Sequence, residues 1–355
     1  MESGIDVMRE RRVSKVEMMT DIKGFILNEL GYRSRREAFR KCSYGDKNEH
    51  KKFRVLCNKD KSASRQGLLS TVSFLLPNMI EARRYGYIPV VDLCRNGRCQ
   101  PLLQEPYLAK KENAWEYYFT QPNREISLDE VRESKCVEEQ IKFCFNENYY
   151  MGDECFRSDI KIRLLGKAIR QNIHLQPKIR NRIVREKGML FPQAGKILGV
   201  GIRAGYRAGI VRNMSLFDKH PIVGSCSDYI RNIEKRLSEW KYDSFFLAID
   251  DRKYLEEIRR YFGEKCIYLE RPRAHYFQDA MLDIPCIDRD EIRTEIDSAS
   301  LRKRNEDYLV ELYLLSQCDG LYVSRGTGHN FAYLLNHGRY AQAEFMDLGE
   351  FEYAK

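Results

Sequence analysis

The sequence predicts an α/β protein of two facing Rossmann-like domains with a cleft between them. Three observations predict it. At 355 residues the chain is long enough for two domains, each with its own core. A strand, loop, helix and second strand follow one another between Phe53 and Asp92. From Ile197 onward, buried-strand runs alternate with helical segments across short loops. On this reading residues 1–50 are a basic extension, 51–190 an α/β domain with connecting helices, and 191–355 the second α/β domain.

The extension is polar and basic, with Arg9-Glu10-Arg11-Arg12 and Arg33-Ser34-Arg35-Arg36 flanking one amphipathic stretch from Val16 to Leu30. Phe53 to Cys57 reads as a short strand. Asn58 to Gly67 is a polar loop, Leu68 to Tyr85 has helical apolar spacing, and Tyr87 to Asp92 is the next strand. Such a unit implies a parallel pair of strands. Pro89 stands early in the second strand, where a missing donor is tolerable. The aromatic run Asn113-Ala114-Trp115-Glu116-Tyr117-Tyr118-Phe119 is expected in the core or between domains rather than as a sugar platform. Ser127 fits an N-cap, and Ile160 to Lys187 is a basic, largely helical connector.

In the second half, Ile197–Ile202, Ser244–Ile249, Cys266–Leu269 and Gly320–Ser324 read as strands. Ser227–Trp240, Tyr254–Phe262 and Glu306–Gln317 read as helices, with Gly263 closing the second as a C-cap. Gly326-Thr327-Gly328 opens a further helix that runs to Asn336.

Composition narrows the function. Hydrophobic content of 43% beside 32% charged residues is that of a folded globular chain. The longest apolar stretch, Leu68 to Ile80, is interrupted by polar residues and falls short of the ~20 residues a spanning helix needs. The first residues lack the pattern of a secretory signal, so a cytoplasmic location is expected, with peripheral contact at an anionic membrane face open to a chain of net charge +9. Nucleic acid is the disfavoured anionic partner, since the sequence has no zinc finger, RNP-like aromatic motif or heptad zipper. Its eleven cysteines are scattered, without CxxC pairs or zinc spacing, and read as free thiols. No metal site and no cofactor are expected.

Ligands of open parallel sheets sit beyond the carboxyl ends of the strands. That rule selects three segments. Gly199 to Gly209 places Arg203, and then Arg207, in a glycine-containing turn after a strand, where guanidiniums can grip phosphate oxygens. Asp250 and Asp251 end the next strand; they could meet a sugar hydroxyl or orient the arginines, and either could equally be an N-cap. Ser324 to Asn330 is a glycine-rich strand-to-helix turn whose backbone N–H groups and Thr327 hydroxyl suit an anion. It is neither a Walker A loop nor a full GxGxxG.

Ile197–Arg207, Phe246–Asp251 and Leu314–Leu335 resemble, in order and spacing, the three signature regions of the α-1,6-fucosyltransferase superfamily, which includes the rhizobial nodulation, eukaryotic core and protein O-fucosyltransferases. The stretches Tyr85–Asp92 and Asn113–Phe119 resemble its bacterial polysaccharide-cluster members. The resemblance covers about Phe53 to Tyr353. It implies a GT-B fold and inverting, metal-independent transfer of fucose from GDP-fucose, or a related nucleotide sugar, to a glycan or lipid-linked acceptor in surface polysaccharide synthesis. By position, Arg203 would grip the diphosphate and stabilise the leaving group. Asp250 and Asp251 would lie in the donor pocket, Thr327, between Gly326 and Gly328, would contact phosphate, and Glu311 would face the guanine. The loop Ser62 to Gly67, with Ser64 and Gly67, would face the diphosphate from the first domain.

Two departures stand out. The first signature usually reads His-x-Arg-x-Thr-Asp, and here Gly201 replaces the His while Gly205-Tyr206 replace Thr-Asp. They leave open a second reading, a non-catalytic nucleotide-sugar or glycan-binding relative. A third is a basic binder of nucleic acid or anionic membrane through residues 1–50 and the Ile160–Lys187 segment.

Overall fold

The computed structural model describes residues 36–57, 67–93, 113–142, 149–152, 159–191, 195–204, 222–273, 298–346, 349–350 and 352. These residues form two sheets, nine strands in all, with eight α-helices. The expected helix over Val16–Leu30 lies outside them.

The first sheet contains β1 (Phe39–Cys42), β2 (Phe53–Leu56), β3 (Ile88–Val91) and β4 (Val137–Gln140) in the order β1-β4-β2-β3. β2 runs parallel to β3 and β4, and β1 closes the other edge antiparallel to β4. The crossover between β2 and β3 is helix α1 (Leu68–Arg84), as the apolar spacing predicts. Pro89 sits on β3, an edge strand, where no ladder bond is lost on its outer side. The short α2 (Leu128–Arg132) is capped by the Ser127 side chain, which accepts the Glu130 N–H.

Two strands here escape the sequence reading. β1 falls inside the segment read as an extension, and β4 reads Val-Glu-Glu-Gln. Cross-strand charge pairs carry them: Arg40 opposite Glu139, and Arg54 with both its Nε and Nη2 on Glu138. The basic connector is likewise two helices, α3 (Asp159–Asn172) and α4 (Pro177–Leu190), the second started by a proline whose missing N–H costs nothing at a helix N-terminus.

The second sheet is all parallel. It holds β5 (Ile197–Ile202), β6 (Ser244–Ile249), β7 (Cys266–Tyr268), β8 (Gly320–Ser324) and β9 (Ala343–Met346) in the order β7-β6-β5-β8-β9. All six residues of β5 are buried, as a strand covered on both faces requires. α5 (Cys226–Trp240) starts with a Ser225–Asp228 capping box. α6 (Arg252–Phe262) ends at Gly263, whose positive φ of +58° a glycine adopts without steric cost. α7 (Ser298–Leu315) begins about two turns before the expected Glu306, and α8 (Thr327–Leu335) follows β8. β9 was not foreseen.

One hydrophobic cluster covers one face of this sheet with α5 and α6, through residues such as Tyr229, Ile233 and Ile258. A larger one runs without a break from Leu56, Leu75 and Trp115, through Leu165, to Leu312, Phe331 and Phe246. The aromatic run is therefore core: Trp115, Tyr118 and Phe119 are all buried. No described helix is long and apolar enough to cross a membrane.

Candidate functional site

With β5 counted as the first strand of its sheet, the spatial order is 3-2-1-4-5. That order reverses between β5 and β8, the point at which a doubly wound sheet leaves a crevice beyond its carboxyl ends. The described segments selected from sequence converge there. The Arg203 backbone N–H donates to Ser324 Oγ (3.1 Å), joining the ends of β5 and β8. The Ala204 N–H donates to Asp250 Oδ1 (2.9 Å), joining the ends of β5 and β6. Gly326 lies against the stem of Arg203, so that a Cβ there would stand 3.2 Å from Arg203 Cδ.

Gly201 has a local cause. A Cβ at that position would lie 2.6 Å from His329 Nε2 and 2.9 Å from Val323 Cγ1. The space beside the strand end is thus filled by an imidazole that comes from α8. His329 Nδ1 donates to the Ser324 carbonyl (2.6 Å), which fixes the tautomer and leaves Nε2 as an acceptor. Burial, partly offset by the Ser324 carbonyl and reinforced by the Arg203 charge, lowers its pKa to about 4. The ring is neutral at pH 7.

α8 opens at Gly326, which provides no side-chain cap, and no acidic residue stands in the first turn. Its positive end is therefore not neutralised from within the helix. Thr327 is the first helical residue and is half-buried. Gly328 is fixed by packing, because the Tyr308 hydroxyl occupies the volume a Cβ would need. Asn330 donates through Nδ2 to the Met151 carbonyl (3.0 Å) and ties the helix to the first half of the chain.

The two aspartates part company. Asp250 accepts the Ala204 N–H and belongs to the strand-end cluster. Asp251 is fully buried and caps α6, accepting from the Tyr254 N–H (3.0 Å), while its Oδ2 has no hydrogen-bond partner among the described residues. Glu311 is held by two guanidiniums. Arg271 donates to it through Nε (2.9 Å) and Nη2 (2.7 Å), and Arg273 through Nη2 (3.0 Å). Both of its oxygens are therefore engaged within the protein, where they anchor the two arginines.

Arg271 and Arg273 also donate to the Ile249 carbonyl, one residue before Asp250. Burial opposes the charge on Arg271, but Glu311 outweighs it and holds that guanidinium above its ordinary pKa; burial prevails at Arg273 and lowers its pKa. The two guanidiniums lie beneath the carboxyl ends of β6 and β7, where Asp250 and Glu270 add negative charge to that of Glu311. Neither arginine was singled out from sequence. The signal was present in Glu270-Arg271-Pro272-Arg273, which comes shortly after a strand, as Arg203 does.

Gly67 lies at the start of α1, where its carbonyl accepts the Thr71 N–H. Ser64 and Arg207, like Gly205 and Tyr206, lie outside the described residues. Among the described residues no group of three His, Cys, Asp or Glu side chains is arranged to hold a metal ion. The assembled site brings a guanidinium and an uncapped helix N-terminus to a sheet's switch point, groups suited to phosphate.

No protein-family model matches the chain, and no curated protein matches it. Solved structures similar to it in fold include three fucosyltransferases. The fucosyltransferase NodZ from Bradyrhizobium is 14% identical over 80% of this chain and 93% of that one, with a TM-score of 0.42. POFUT1 in its apo form is 8% identical over 85% and 99%, with a TM-score of 0.42. Arabidopsis thaliana FUT1, as a mutant in complex with GDP, is 11% identical over 82% and 70%, with a TM-score of 0.41.

Proposed function

We propose that this chain is a glycosyltransferase whose nucleotide-sugar donor seats its diphosphate against Arg203 and the first turn of α8. The observation that carries the reading is the junction of β5, β6 and β8 ends at the switch point, through Arg203–Ser324 and Ala204–Asp250. In the transfer, the bond from the anomeric carbon to the diphosphate breaks as an acceptor hydroxyl attacks from the opposite face. Negative charge grows on the departing diphosphate, and Arg203 with the α8 N–H groups meets it there, supplying positive charge without a metal ion. The proton of the acceptor hydroxyl passes to a base, for which Asp250 is the candidate at the strand-end cluster. The sequence resemblance names the donor as GDP-fucose and the acceptor as a glycan or lipid-linked sugar of surface polysaccharide synthesis. The setting is the cytoplasm, with contact at an anionic membrane face.

The test is a thermal-shift panel of GDP-, UDP- and dTDP-sugars. A ligand that binds only the folded chain raises its melting temperature. GDP-fucose should raise it, and Arg203→Ala should abolish the rise. No shift with any nucleotide sugar would overturn the proposal. The Gly205-Tyr206 departure favours one second reading, a relative that binds the donor without turning it over. Release of GDP with a sugar acceptor, lost in Arg203→Ala, separates the two.

A further inference from the structure

Arg203 is set in place by contacts that reach it from β8 and α8. Its backbone N–H is received by Ser324 Oγ, and its stem lies on Gly326. Ser324 is itself gripped by His329, whose Nδ1–H donates to the Ser324 carbonyl at 2.6 Å and stands 3.4 Å from the Ser324 hydroxyl. His329 can reach this spot only because residue 201 has no side chain. The imidazole fills the gap between the ends of β5 and β8 and is 2% exposed.

We infer that His329 is a positioning residue for Arg203: seated in the gap left by Gly201, its Nδ1–H holds Ser324 so that the serine hydroxyl fixes the strand-end arginine. The functional arm of this inference rests on the donor reading above. The structural arm does not. A neutral ring suits the place, since a second cation beside Arg203 would repel it, and burial keeps the ring neutral. The bond to Ser324 needs only a short side-chain donor. Asparagine can present one close to the position of Nδ1; alanine cannot.

The experiment compares wild type, His329→Ala and His329→Asn in the full chain by two readouts. The first is amide hydrogen exchange at Arg203 without ligand, with Val200 and Leu247 as controls for the folded sheet. The second is the Kd for GDP by calorimetry. In His329→Ala, loss of the bond to Ser324 should speed exchange at Arg203 and weaken GDP binding, each about tenfold, the size of one lost buried hydrogen bond. The control amides should stay protected, and His329→Asn should restore both values. Unchanged exchange and affinity in His329→Ala would overturn the inference. So would loss of protection at Val200 and Leu247 in Ala and Asn alike, which marks a packing role only. If wild type binds no GDP yet the Arg203 amide follows the expected pattern, the positioning role stands and the donor reading falls.

Discussion

Gly201 carries the sharpest consequence at the scale of single residues. A methyl group there would meet the imidazole edge at 2.6 Å and Val323 at 2.9 Å, and neither neighbour is a floppy chain end. Overpacking of this kind costs about 1–3 kcal/mol. Gly201→Ala should lower the unfolding free energy in urea by that measure, with a lower midpoint, and adding His329→Ala should recover part of it, since the two positions share one volume. An unchanged midpoint in Gly201→Ala would show that the ring is free to move aside. The same ring sets a pH dependence. Its pKa of about 4 in the folded chain lies below the ordinary 6.5, so between those values the unfolded chain binds the extra proton. The contribution to stability is complete above pH 6.5 and is lost as pH falls toward 4, by up to roughly 3 kcal/mol. His174 and His337 are shifted the same way by burial, so the measurement is the difference between wild type and His329→Asn. That difference should move against wild type from pH 7 to pH 4.5. A constant difference would contradict it.

Among elements, α7 joins the sheet end to the helical layer through charge. Glu311 is 1% exposed and holds Arg271 and Arg273, whose side chains are 5% and 1% exposed. Removing one partner of a buried ion pair costs about 3–5 kcal/mol, because the remaining charge is stranded. Glu311→Gln strands two, and should lose at least that much in denaturant unfolding; a loss below ~1 kcal/mol would mean that the arginines find other partners. How far such elements can be read from sequence depends on where their identity resides. β5 and β6 announce themselves, because a strand buried on both faces must be a continuous apolar run. β1 and β4 do not, for Arg40, Glu138 and Glu139 look like surface until their partners across the sheet are known. The early turns of α7 carry Arg302, Lys303 and Arg304 and hide in the same way. The strand-end rule located Arg203, Asp250 and the α8 turn. Arg271 and Arg273 act through Glu311, and His329 fills the gap at Gly201, contacts between distant segments of which periodicity holds no trace. The gap at Gly201 was visible; what fills it was not.

At the scale of the whole molecule, the two sheets share one core. The cluster from Leu56 and Trp115 to Phe331 and Phe246 has no seam among the described residues. Polar ties cross the same boundary: Asn330 to Met151, Asn305 to Tyr118, Arg182 to Asp307, and Arg302 stacked on Tyr117. Two halves joined in this way should unfold together, because exposing the face of α8 that carries Phe331 and Leu334 would cost either half its packing. The chain supplies its own reporters. It has two tryptophans, Trp115 buried in the first half and Trp240 at the end of α5 in the second. Trp240→Phe leaves fluorescence from the first half alone, and Trp115→Phe leaves the second half alone, with far-UV circular dichroism as the common measure. Coincident midpoints within each variant are expected, while separated transitions would show two independent folding units. The same pair of variants tests how the site belongs to the molecule. GDP held at Arg203 should then raise the midpoint seen by Trp115 as much as that seen by Trp240, since a ligand stabilises the entire cooperative unit that carries its site.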